Sequence, residues 1–175
     1  VGNKVIKVEL SQQSIQNAIR EVARYKKELI QKCELFAKKL SEDGVEIARM
    51  QIVNLDAIFT SELIDSLHSK KGNPVQYGAI FCVAVGTDHC AFVEFGTGPR
   101  GEQKPYKYDL PQGVTWNVNT GKTIHQISDG RYGWFYPGDD GNWYFTEGMP
   151  SRPFMHNTSV ELYGLVNKVA KEVFK

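Results

Sequence analysis

The side chains with which this chain would do covalent or metal chemistry are few and poorly spaced for it. His68, His89, His125 and His156 form no H-x-x-x-H or H-E-x-x-H grouping. Cys82, His89 and Cys90 can be drawn as a metal site, but no fourth ligand is apparent and the spacing matches no zinc pattern. Cys33, Cys82 and Cys90 are odd in number and lack a C-x-x-C pair, so they read as free thiols packed as small hydrophobes. Asp139 and Asp140 with Glu147 would suit the paired carboxylates of glycoside hydrolysis, yet Asp-Asp-Gly is ordinary turn material and is read as a turn. Gly96-Thr-Gly98 is likewise a turn, since no G-x-x-x-x-G-K-[ST] phosphate loop occurs. No catalytic residue, cofactor or metal is assigned.

A stronger signal is aromatic. Tyr132, Trp134, Phe135, Tyr136, Trp143, Tyr144 and Phe145 flank Pro137-Gly-Asp-Asp-Gly141, which reads as a hairpin turn. Three consecutive aromatics on a strand put bulky groups on both faces, because side chains alternate. One face can cover the chain's own core; the other needs a second cover. Core, subunit contact and a sugar platform using Trp134 and Trp143 are the three readings.

The elements that must carry these residues follow from periodicity. From Ser11 to about Leu40 the apolar positions Ile15, Ile19, Val22, Leu29, Cys33, Phe36 and Leu40 step by four and three, with Lys26 as the polar interruption. That stripe predicts a long helix, capped by Ser11 or Ser14, with Glu28–Lys32 and Glu34–Lys38 pairs on its exposed face. At 1.5 Å per residue it runs roughly 45 Å, so part of the stripe packs on the chain's own sheet or on another subunit. Ser41-Glu-Asp-Gly44 is expected to break or bend it, with a shorter helical stretch from Val45 to Ile52. Thr60–Leu67 reads as a short helix, Lys70–Pro74 as a turn and Tyr77–Val85 as a strand closed by Gly86-Thr87-Asp88. Residues 100–148 hold eight of the 16 glycines and should form turns and short β segments. A final helix carries Leu162, Val166, Val169 and Val173. The fold class expected is α+β, a small, mainly antiparallel sheet with a long N-terminal helix and a C-terminal helix packed against it.

Residues 1–175 are long enough for one domain, and 41% apolar content argues against disorder. With 21 Lys+Arg against 20 Asp+Glu the net charge is +1, so the footprint of a dedicated nucleic-acid binder is missing. The longest purely apolar run, Ala79–Val85, is far short of the ~20 residues that span a bilayer. The first residues alternate charged and apolar without a signal core, so a soluble protein used inside a cell is expected.

Three blocks bring a family into view: Thr60-Ser-Glu-Leu-Ile-Asp-Ser-Leu67, Ala91-Phe-Val-Glu-Phe-Gly-Thr-Gly98 and Gly148-Met-Pro-Ser-Arg-Pro-Phe-Met155. In order and approximate spacing they resemble tailed-phage proteins of the tail-completion or head-to-tail joining type, over nearly the whole chain. Ser61 stands where that family usually has Gly, and Cys90 where it often has Tyr. The resemblance implies a non-enzymatic structural protein of a phage, prophage or phage-tail-like particle. It would sit at the neck or head-proximal end of the tail, assembled in the bacterial host cytoplasm, as a homo-oligomeric ring with a hexamer favoured. Its partners would be tail-tube, tail-terminator or neck and connector proteins, with no membrane and no sequence-specific nucleic acid. The interface residues nominated are Glu94, Phe95, Gly96, Thr97, Gly98, Trp134, Phe135, Tyr136, Trp143, Tyr144, Arg152, Phe154 and Met155, with the long helix. Arg152 is expected to pair with Glu94. The other class of function kept open is a small carbohydrate-binding module or glycan-active enzyme built on the Tyr132–Phe145 hairpin.

Overall fold

A computed structural model describes residues 5–57, 61–73, 75, 78–87, 89–119, 121–138 and 140–175. In chain order the elements are α1 (Gln12–Asn54), α2 (Glu62–Asp65), β1 (His68–Lys71), β2 (Phe81–Ala84), α3 (Cys90–Phe95), α4 (Gly98–Gln103), β3 (His125–Gln126), β4 (Tyr132–Pro137), β5 (Trp143–Thr146) and α5 (Phe154–Val173). The class is α+β, as read from the sequence, but the strands form two antiparallel sheets, β1-β2 and β3-β4-β5. Among the described residues no helix is long and apolar enough to cross a membrane. The chain divides into two compact units that share both long helices.

The first unit comprises residues 1–47, 68–84 and 159–175. Ser11 caps α1 by accepting the Ser14 N–H at 3.2 Å, while the Ser14 hydroxyl accepts the Glu9 N–H at 2.9 Å. The expected break at 41–44 does not occur; α1 runs straight through it. The reason is tertiary. A side chain at Gly44 would put its Cβ 2.7 Å from Val83 Cγ2 and 3.2 Å from Leu162 Cδ2, so this glycine marks close packing rather than a helix end. Ser41 is buried too, donating to the Lys38 carbonyl at 2.8 Å and meeting the Ser69 hydroxyl at 2.6 Å. The residues that read as a stop are the small ones that let β1, β2 and α5 approach.

Lys70 and Lys71, expected in a turn, end β1 instead, in the register His68↔Ala84 to Lys71↔Phe81. The Gly72 N–H donates to the Ile80 carbonyl at 2.8 Å and extends the ladder. The strand begins later than expected, at Phe81; Pro74 and Tyr77 lie outside the described residues. Phe36 meets Phe174 with ring centres 5.9 Å apart, Lys39 pairs with Glu172, and Lys32 donates to the Lys175 carbonyl at 2.8 Å. Glu34 pairs with Lys71 rather than Lys38, and Lys38 with Glu42 at 3.7 Å. Val169 is buried, but Ile15, Ile19 and Val22 at the other end of the α1 stripe remain 44%, 63% and 55% exposed.

The second unit comprises residues 48–67 and 85–158. Here α1 ends in a Schellman turn: Ala57 N–H donates to Ile52 O at 2.9 Å and Asp56 N–H to Val53 O at 3.1 Å, with Asp56 at φ +50°. Ala48, Ile52, Leu63, Leu67, Val93, Phe95 and Phe154 supply the core. The short helix expected over 60–67 is α2; Thr60 and Asp88 lie outside the described residues. The glycine-rich segment opens with a helix that the sequence reading missed, α4, with Pro99 in its first turn.

Candidate functional site

The second and third motif blocks meet in the second unit as one joint. Glu94, on α3, is only 6% exposed. Its Oε2 accepts the Met155 N–H at 2.8 Å and its Oε1 the His156 N–H at 3.0 Å. Those N–H groups belong to the first turn of α5, where a helix has donors without internal partners, so the carboxylate caps that end. Burial pushes the Glu94 carboxyl above its ordinary 4.5, and the two N–H bonds oppose that shift without cancelling it.

Backbone pairing runs along both sides of this cap. Thr97 N–H donates to Met149 O at 2.8 Å and Met149 N–H returns to Thr97 O at 3.0 Å. Arg152 N–H donates to Val93 O at 2.8 Å, and the Ser151 hydroxyl to Glu94 O at 2.6 Å. Gly96 turns the chain at φ +80°, and a Cβ there would lie 2.7 Å from the Ser151 nitrogen. The expected Arg152–Glu94 ion pair is not made. Arg152 Nε donates to the Leu55 carbonyl at 3.2 Å, because the α5 amides occupy both Glu94 oxygens and the arginine faces the open end of α1.

Residues 104–118 cover this joint, and the sequence reading did not single them out. Trp116 Nε1 donates to Gly96 O at 2.9 Å and its ring meets Phe92 and Phe95. Tyr106 stands edge-on to Phe95 at 5.0 Å, and Tyr108 stacks on His156 at 3.6 Å. Burial, and next the Glu94 charge, raise the Tyr106 hydroxyl pKa above 10.0. The signal that would have found them is three more aromatics, Tyr106, Tyr108 and Trp116, within 11 residues. An open cleft of about 340 Å³ lies beside Tyr108, lined by Lys104, Pro105, Lys107 and Pro153.

The aromatic hairpin is β4 and β5, paired Trp134↔Thr146, Phe135↔Phe145, Tyr136↔Tyr144 and Pro137↔Trp143. Trp134 is half-buried because its ring lies on Gly98, where a Cβ would come within 2.4 Å of Cζ3. The other nominated hairpin residues, Phe135, Tyr136, Trp143 and Tyr144, are exposed, Trp143 by 67%. Alternation places Trp134 and Tyr144 on one face and Phe135 and Trp143 on the other, so both faces are largely uncovered. At the tip Asp140 accepts from Tyr144 Oη at 2.7 Å and from Asn142 Nδ2 at 2.8 Å, which lowers its carboxyl to about 2. Asp139 lies outside the described residues.

The nominated residues therefore divide. Glu94, Phe95, Gly96, Thr97, Gly98 and Phe154 are buried within the chain, Arg152, Met155 and Trp134 are partly covered, and Phe135, Tyr136, Trp143 and Tyr144 are exposed. Among the described residues no three His, Cys, Asp or Glu side chains are grouped to hold a metal ion; His89 lies 3.6 Å from Glu62. Compared with known proteins, the chain matches no family model, no curated protein and no solved structure.

Proposed function

We propose that this chain is an assembly protein forming a homo-oligomeric ring at the neck or head-proximal end of a phage or phage-like tail, which it completes or joins to the head. The observation that carries the reading is uncovered apolar surface in rows: Ile15, Ile19 and Val22 along α1, and Phe135, Tyr136, Trp143 and Tyr144 on the hairpin. Large apolar side chains left exposed along one helix face and on both faces of a hairpin fit a contact with another protein. The second and third blocks on which the likeness rests form one hydrogen-bonded joint. Six copies is the number the likeness implies.

The sugar-binding alternative is weaker on this geometry. Trp134 is half-buried and points to the opposite face from Trp143, so the two make no common platform. Electron microscopy of particles from a producer strain lacking the gene tests the proposal. Unjoined heads and tails, or tails of aberrant length with an unfinished upper end, are the expected result. Particles of normal form and number would overturn it.

A further inference from the structure

In the first unit, β2 is an edge strand without guards. Its sequence, Phe-Cys-Val-Ala, carries no charge and no proline, whereas β1 on the other edge carries Lys70 and Lys71. Edge strands that must stay unpaired are normally blunted by such residues. The Gly72–Ile80 bond sets the alternation: the pairs 70/82 and 68/84 exchange bonds, and Phe81 and Val83 turn their N–H and C=O groups outward. Their side chains line an open apolar cleft of about 320 Å³ with Phe36, Leu40, Ile80 and Leu162. A two-stranded sheet is marginal alone and gains from a third strand.

The same chain carries a segment with the pattern of a strand and no sheet to join. Residues 5–10 precede α1 outside any helix or strand, with Val5, Val8 and Leu10 exposed. Ile6, Val8 and Leu10 alternate with Lys7 and Glu9, the period of a half-buried strand. This arm cannot fill its own chain's cleft. Phe36 and Leu40 stand ~36–42 Å along α1 from Gln12, while six extended residues span only ~20 Å.

We propose that residues 5–10 of one copy add as a third strand to the β2 edge of the next copy, with Ile6, Val8 and Leu10 covering the Phe81–Val83 cleft. Lys7 and Glu9 then lie on the opposite face, beside Cys82 and Lys70. Main-chain bonds supply affinity and alternate side chains specificity, as in strand addition generally. Arm and edge are different patches, so the contact is head-to-tail and closes a ring or runs on as a filament. The inference rests on the ring-forming part of the function proposed above and adds the joint between neighbours.

Cys82, exposed on β2, is a native reporter. The full chain carrying Lys7→Cys or Glu9→Cys, mildly oxidised, should give a ladder of disulfide-linked multimers that disappears when Cys82→Ser is added. Val8→Lys with Leu10→Lys, at exposed positions that leave folding intact, should shift the oligomer to monomer by light scattering. An oligomer that survives the double lysine variant without a ladder overturns the arm contact and leaves the ring standing. A monomeric parent chain, or a cross-link within one chain, overturns the arm contact as well. Microscopy of the deletion strain separately decides the place in the particle.

Discussion

Glu94 Oε2 accepts the Met155 N–H at 2.8 Å across 61 residues of sequence, so the glutamate of one motif block closes the open end of the helix that follows another. Replacing it with alanine strands two amide donors at a site water reaches poorly, and should cost ~2–3 kcal/mol. Glu94→Gln keeps one acceptor and should cost about half that. Urea unfolding of both variants measures this; a loss below ~0.5 kcal/mol for Glu94→Ala would show that the cap contributes nothing.

The same carboxyl makes stability depend on pH. Its folded pKa lies above 4.5, so between 4.5 and that higher value the folded chain holds the proton more firmly than the unfolded one. Stability from this site is therefore full below 4.5 and falls as pH rises through the folded value. Glu94→Gln should lack that fall. The difference in unfolding free energy between parent and variant, followed from pH 4 to 8, reads it; a difference that stays constant refutes the assignment.

Gly44 sits where helix propensity and packing disagree. Alanine would gain ~1 kcal/mol in an exposed helix, but its Cβ would press on Val83 Cγ2, a stiff β-branched side chain at 2.7 Å. Overpacking costs ~1–3 kcal/mol, so Gly44→Ala should be destabilising by ~1 kcal/mol and Gly44→Leu by ~3 kcal/mol. Thermal unfolding decides between the two effects, and a raised midpoint for alanine would mean that the crossing is looser than described.

At the hairpin tip, the Tyr144 hydroxyl is the main cause of the low Asp140 pKa. Tyr144→Phe should move the Asp140 titration from about 2 upward toward its ordinary 3.8, followed by carboxyl NMR shifts. Because the folded value is depressed, the tip network is fully present above 3.8 and is lost as pH falls through about 2. An unchanged midpoint would remove the Tyr144 bond from the account.

The α1 stripe offers a test of assembly separate from folding. Ile19→Glu with Val22→Glu alters residues that are 63% and 55% exposed, so the unfolding free energy should move by no more than ~0.5 kcal/mol. Self-association measured by sedimentation should weaken at least tenfold. If sedimentation is unchanged, this part of α1 is a solvated face, and the hairpin and the arm on the β2 edge are left as the surfaces to test.

Periodicity made much of the fold legible. The four-three stripe of α1, the stripe of α5 and the aromatic triplets around Pro137–Gly141 each became the element they suggested, because helix and strand periods are local properties of the chain. The hairpin was also legible as aromatic on both faces. That the chain itself covers little more of them than Trp134 was not, since that depends on Trp134 finding Gly98, 36 positions away in the chain.

What the sequence determined by itself was the class, α+β, the principal helices and the hairpin, through patterns that repeat within a few residues. Tertiary structure alone decided the rest. Gly44 and Ser41 look like a helix end and are a close crossing, because Val83 and Leu162 pack where a side chain would be. Glu94 and Arg152 look like an ion pair and are two separate caps, because a buried carboxylate beside the first turn of α5 meets two unpaired amides before it meets a guanidinium. A residue's type states which bonds it can make. Only the folded chain, by bringing donors without partners to acceptors without water, selects which of those bonds form.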